Sequence, residues 1–138
     1  MALTKVTYSM IEGAVVNVLD FGAVGDGTTD DAAAIQAAID AANGVFFPLG
    51  SYLISNQLDL KSDFLMYGEG GAKIVLAAGV TPYVLRGNST DNVTIRDLEI
   101  EGNGESGSST VYISNATNIT VDNCKITKSG ATALYFVS

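Results

Sequence analysis

Two stretches of the chain, residues 92–101 and 118–127, carry one hydrophobic pattern at an offset of 26 positions. Apolar side chains coincide at 93/119, 95/121, 98/124 and 100/126. Each copy alternates apolar with polar residues, slips phase over two polar positions, then alternates again. Inside one strand such a slip would turn the apolar set to the wrong face. A coil that bends at a corner between two strands keeps it inward. Looser copies stand at Phe64-Leu65-Met66, and Leu85 lies 26 before Val111. Thr110-Val111-Tyr112-Ile113-Ser114-Asn115 returns as Ala133-Leu134-Tyr135-Phe136-Val137-Ser138, at an offset of 23. Short strands and polar turns recurring every 23 to 29 residues predict a β-solenoid. With strands about 4.8 Å apart, the section after Gly50 rises only about 15–20 Å.

One segment follows a different grammar. Ala32 to Ala42 is alanine-rich, with Ile35 and Ile39 four apart, which predicts a helix over about 30–42. Thr29 or Asp30 is placed to cap it, and Asn43-Gly44 to end it. Its narrow apolar stripe suits a lid lying on the end of the coil. Ahead of it, 20–27 holds three glycines and reads as a tight loop. Residues 1–18 read as an extended lead-in with a turn at Glu12-Gly13. The short runs Val45-Phe46-Phe47 and Tyr52-Leu53-Ile54 read as strands.

Composition narrows the functional classes. Forty-seven per cent hydrophobic against 16% charged residues excludes a disordered chain. A net charge of −8 argues against a nucleic-acid partner, which needs clustered Lys and Arg. No apolar run approaches the ~20 residues of a membrane span, and no secretory signal stands at the start. Without histidine, imidazole bases and the common zinc sites are excluded. The lone Cys124 aligns with Leu98, so an inward, inert thiol is expected. Neither metal nor cofactor is expected.

With the repeat and the helix in place, Asn17-Val18-Leu19-Asp20-Phe21-Gly22-Ala23-Val24-Gly25-Asp26-Gly27-Thr28-Thr29-Asp30-Asp31, Ala34-Ile35-Gln36-Ala37-Ala38-Ile39 and Phe47-Pro48-Leu49-Gly50-Ser51-Tyr52-Leu53-Ile54 resemble the opening signature of the pectate-lyase-like superfamily. The lead-in Thr4-Lys5-Val6-Thr7-Tyr8-Ser9-Met10-Ile11 resembles bacteriophage tailspikes and tail fibres in particular. The resemblance implies an all-β fold, a right-handed parallel β-helix with an N-terminal capping α-helix over 19–138. It also implies a homotrimer on the virion, alongside other phage tail proteins, that recognises and in longer forms cleaves a bacterial surface polysaccharide. Family members place their active carboxylates further along the helix than this chain reaches. A bacterial polysaccharide lyase or glycoside hydrolase is the alternative, and a purely structural trimerisation or capping module a third.

Three groups are candidates for chemistry. Asp97, Glu99 and Glu101 form a carboxylate cluster on one predicted strand, with Glu99 and Glu101 about 6.5–7 Å apart on one face, a spacing glycosidases use. Structural roles compete: Glu99 beside Lys125 and Arg96 beside Asp122 predict ion-pair ladders of ~0.2–1 kcal/mol each, and Asp97 falls at a corner beside Asn123. Tyr112 and Tyr135 coincide on the outward phase, fit for a sugar platform or for packing against a second subunit. The acidic, glycine-rich 22–31 segment lacks the ligand spacing of a calcium loop, and turn and capping roles account for it. The Asn-x-Thr triplets at Asn88, Asn92, Asn115 and Asn118 are expected as turn asparagines. By the repeat, Ser138 matches Asn115, so the apolar strand 134–137 is expected at an uncovered edge, in a fragment held as an oligomer.

Overall fold

The computed structural model describes residues 14–80 and 83–137. It is a parallel β-helix of three sheets. Sheet A stacks β1 (Val15–Asn17), β3 (Gly44–Phe47), β6 (Phe64–Gly68), β9 (Asp91–Arg96) and β12 (Thr117–Asp122). Sheet B stacks β2 (Asp26–Asp30), β4 (Ser51–Ile54), β7 (Lys73–Leu76), β10 (Glu99–Glu101) and β13 (Lys125–Thr127). Sheet C stacks β5 (Leu58–Asp59), β8 (Tyr83–Asn88), β11 (Ser109–Ser114) and β14 (Leu134–Val137). The expected register holds: Val93 pairs with Ile119, Ile95 with Val121, Ile100 with Ile126 and Leu85 with Val111, while Val111 pairs with Leu134.

Inward residues form columns along the axis. Val16, Val45, Met66 and Ile95 line sheet A, Tyr52, Ile74 and Ile100 sheet B, and Leu58, Leu85 and Val111 sheet C, all buried. Each such side chain contributes about 1.5–3 kcal/mol by leaving water. In the last coil Ile126 is half-buried, and Leu134 is 38% exposed.

In the first coil the helix α1 (Ala32–Ala41) stands between β2 and β3, where later coils carry a sheet C strand. Its Ala32, Ile35, Ala38 and Ile39 are buried over the core. The cap differs in part from expectation. Asp30 accepts the Ala32 N–H at 3.1 Å, also accepts the Ser55 N–H at 3.1 Å, and takes the Ser55 hydroxyl. Thr29 does not cap; its hydroxyl donates to Asp26 at 2.8 Å. Asp31 holds the glycine loop instead: its buried carboxylate accepts from Val24 N–H (2.8 Å) and Gly25 N–H (3.0 Å).

The segment expected as only loop and cap contains β2, an irregular strand paired with β4. It went unseen because Asp-Gly-Thr-Thr-Asp offers no apolar residue to alternate. Strand β1 already belongs to sheet A; the rest of the lead-in, with its turn at Glu12-Gly13, lies outside the described residues, as does Ser138. Among the described residues no helix is long and apolar enough to cross a membrane.

Candidate functional site

The carboxylate cluster divides over two surfaces. Glu99 and Glu101 project from sheet B among lysines. Glu99 Oε1 lies 3.6 Å from Lys73 Nζ and 3.3 Å from Lys125 Nζ; Glu101 lies 3.4 Å from Lys73 and 2.6 Å from Lys128. The Lys128 hydrogen bond, with both lysine charges, holds the Glu101 carboxyl below its ordinary range. Asp97 stands instead at the corner between sheets A and B with φ of 56°, accepting the Asn123 amide at 2.8 Å. The expected Glu99–Lys125 ladder is present. Arg96 is in register with Asp122, but its guanidinium lies 4.9 Å over the Tyr67 ring and 3.6 Å from the Asp97 carboxylate.

Asp97 and Glu99 share a recess of about 420 Å³ with Gly68, Gly70, Gly71, Leu98, Asn123 and Lys125; Glu101 is not among its walls. A change in turn length opens it. Four residues, 69–72, join β6 to β7, whereas two join β9 to β10 and β12 to β13. The longer turn supplies Gly70 and Gly71 to the recess and the shorter ones Asp97, Leu98 and Asn123. Gly68 is required at its edge, since a Cβ there would lie 2.6 Å from Leu98 Cδ2 and 2.9 Å from the Asp97 carbonyl oxygen.

On sheet C, Tyr112 and Tyr135 are in register and stack at 5.2 Å between ring centroids, 11° from parallel. Tyr83, which the sequence reading missed, extends the stack to a third ring at 4.5 Å from Tyr112. Its in-register partner is Ser109, and Tyr112 pairs with Arg86, so Tyr83 reaches the stack diagonally and the 26-residue offset does not reveal it. Arg86 beside the stack is held by Asp59 at 2.8 Å. The loops entering sheet C lean on one another. Asn103 Nδ2 donates to the carbonyls of Ala77 (2.8 Å) and Val80 (2.6 Å), Gly104 N–H to that of Lys128 (2.9 Å) and Ala131 N–H to that of Ser108 (2.7 Å).

A third outward group lies on sheet A, where Phe46, Tyr67 and Arg96 occupy one column. The Phe46 and Tyr67 ring centroids are 5.1 Å apart. Cys124 is half-buried with Sγ 3.6 Å from the Ile95 carbonyl oxygen, and burial raises its thiol pKa.

Residues 15–90 match the family model described as rhamnogalacturonase A/epimerase, pectate lyase-like. The chain is 38% identical over 115 residues to the mannuronan C5-epimerase AlgE3 of Azotobacter vinelandii, an alignment covering 69% of this chain and 6% of that protein. PfbA, a surface adhesin of Streptococcus pneumoniae, superposes with a TM-score of 0.72 at 29% identity over 80% of this chain and 33% of its own. ORF18 of Geobacillus virus E2 superposes with a TM-score of 0.76 at 24% identity over 83% of this chain and 26% of its own. The chain thus spans a small part of the length of each.

Proposed function

The chain belongs to the pectate-lyase-like family of rhamnogalacturonase A and epimerase type, and from that premise we propose that it binds a bacterial surface polysaccharide as the start of a tailspike-type β-helix. In this reading it is a homotrimer on the virion, beside other phage tail proteins. The tyrosine stack on sheet C carries the reading. Stacked face to face 4.5 and 5.2 Å apart, the three rings present a row of ring edges and hydroxyls along sheet C. Successive sugars of a chain can pack their C–H groups on those edges and exchange hydrogen bonds with the hydroxyls.

Binding without cleavage fits these residues best. A glycosidic general acid needs a raised carboxyl pKa. The lysines around Glu101 push it the other way, and Glu99 is already held in ion pairs with Lys73 and Lys125. Asp97, Glu99 and Glu101 therefore serve as structural charges in this reading, and Tyr112 and Tyr135 as sugar contacts.

Light scattering joined to a polysaccharide binding panel tests the proposal. It expects a mass of about three times 14.3 kDa and binding to at least one capsule or lipopolysaccharide sugar. A monomer that binds none of them counts against it. A second reading, the start of a bacterial uronan-modifying enzyme, draws on the likeness to the mannuronan epimerase. Its mark is a change in the anomeric proton signals of mannuronan, or new absorbance from unsaturated uronates. A clean trimer inert toward every sugar favours the structural module instead.

A further inference from the structure

We propose that the notch between sheets A and B, together with the Phe46–Tyr67–Arg96 column beside it, is a second carbohydrate site that takes a neutral hexopyranose. It lies on different sheets from the tyrosine stack, so it stands or falls apart from that reading.

Three observations carry the inference. The first is an outward aromatic column: Phe46 and Tyr67, one coil apart, hold their rings 5.1 Å apart at 40°, and the Arg96 guanidinium covers one face of Tyr67 at 4.9 Å, which leaves the Phe46 ring and the ring edges for a ligand. Outward aromatics on a β-helix are free to be any polar residue, because the core lies on the other face. The second is the recess that opens beside this column. At about 420 Å³ it has the size of a small-molecule pocket, and the exposed glycines at 70 and 71 line it with bare backbone. Arg96 and Asp97, adjacent in sequence and 3.6 Å apart as an ion pair, join column to recess.

The third observation is charge balance, which sets the ligand class. Arg96 is matched by Asp97, and Lys125 lies 3.3 Å from Glu99. An acidic sugar would have to compete with a carboxylate already in place for each cation. Hydroxyl groups face no such competition. They donate to spare carboxylate lone pairs and accept from the Asn123 amide and the lysine, while the pyranose C–H groups pack on the Phe46 ring and the outward ring edges.

Saturation-transfer NMR on the intact chain tests this, with gluco-, galacto- and manno-oligosaccharides as neutral probes and a mannuronan octasaccharide as the acidic one. Tyr67→Ala breaks the column. Gly70→Gln puts a long polar side chain on the wall of the recess at a position where a Cβ meets nothing within 4 Å, so the fold is not disturbed. At least one neutral probe is expected to bind, about tenfold more weakly in both variants. Three results overturn the proposal: no neutral probe binds, binding survives both variants, or the mannuronan probe is the one that they abolish.

Discussion

Asn118 donates through its side-chain amide to the Asn92 side-chain oxygen at 3.0 Å, although 26 residues separate them. Asn92 in turn donates to Asp63 at 2.8 Å. All three stand in the left-handed region, with φ of 54°, 58° and 55°. Few residues other than glycine enter that region cheaply; Asn and Asp do so because their short side chains bond locally. Each corner thus solves a backbone problem and hands a hydrogen bond to the next coil. Asp97 and Asn123 repeat the arrangement at the following corner.

Replacing Asn92 separates these two roles. Asn92→Gly keeps the left-handed backbone and loses the amide bonds, for a cost of about 1 kcal/mol. Asn92→Ala loses both and should cost about 1–2 kcal/mol more. Urea unfolding of the two variants measures the difference; equal stabilities would show that the corner does not constrain the backbone.

Burial along the axis predicts a gradient. Ile100 is fully buried and Ile126, one coil later in the same column, is half-buried. Ile100→Ala should therefore cost about 2–5 kcal/mol and Ile126→Ala clearly less. Paired thermal melts check the order.

Acid should weaken the fold through paired carboxylates. Glu101 is lowered from its ordinary 4.5, first by its hydrogen bond to Lys128. Asp30 is lowered from 3.8, first by the Ser55 hydroxyl. A depressed carboxyl adds stability that is complete above the unfolded value and disappears as pH falls through the folded one. Melting temperature should therefore hold above about pH 4.5 and decline below it. In Glu101→Gln that decline should be shallower, as a pH series of melts would reveal.

Alkali acts through Tyr52. Its buried hydroxyl donates to the Pro48 carbonyl at 2.7 Å, and burial first, then the charges of Asp31 and Glu69, push its pKa from 10.0 up to about 12. The sign is reversed here: the contribution is complete below pH 10 and vanishes as pH rises toward 12. Tyr52→Phe should lower stability at neutral pH by about 1 kcal/mol and flatten the loss above pH 10.

The coils were legible wherever their length was constant. From residue 92 onward the 26-residue offset aligned Val93, Ile95 and Ile100 with their partners, and it paired Glu99 with Lys125. The same offset places Lys73 beneath Glu99, a neighbour the sequence reading left unused. Earlier coils differ in length: Phe46 meets Tyr67 after 21 residues and Tyr67 meets Arg96 after 29. A fixed period cannot bring these three together, and the sheet A column stayed hidden for that reason. The notch was equally invisible, because it comes from the step between a four-residue and a two-residue turn rather than from any motif. Of the candidate carboxylates, the sequence placed Asp97 at its corner but could not show that Glu101, on the same face as Glu99, lies outside the recess that Asp97 and Glu99 share.

Tyr112 is the middle ring of the stack that carries the functional reading, between Tyr83 and Tyr135. Its side chain is outward, so Tyr112→Ala should leave the fold intact. The most direct measurement is the affinity of the unaltered chain and of Tyr112→Ala for a panel of purified bacterial surface polysaccharides, with circular dichroism as the fold control. The account predicts binding to at least one polysaccharide, weakened about tenfold by the substitution. A folded Tyr112→Ala protein that binds as tightly as the unaltered chain would contradict it.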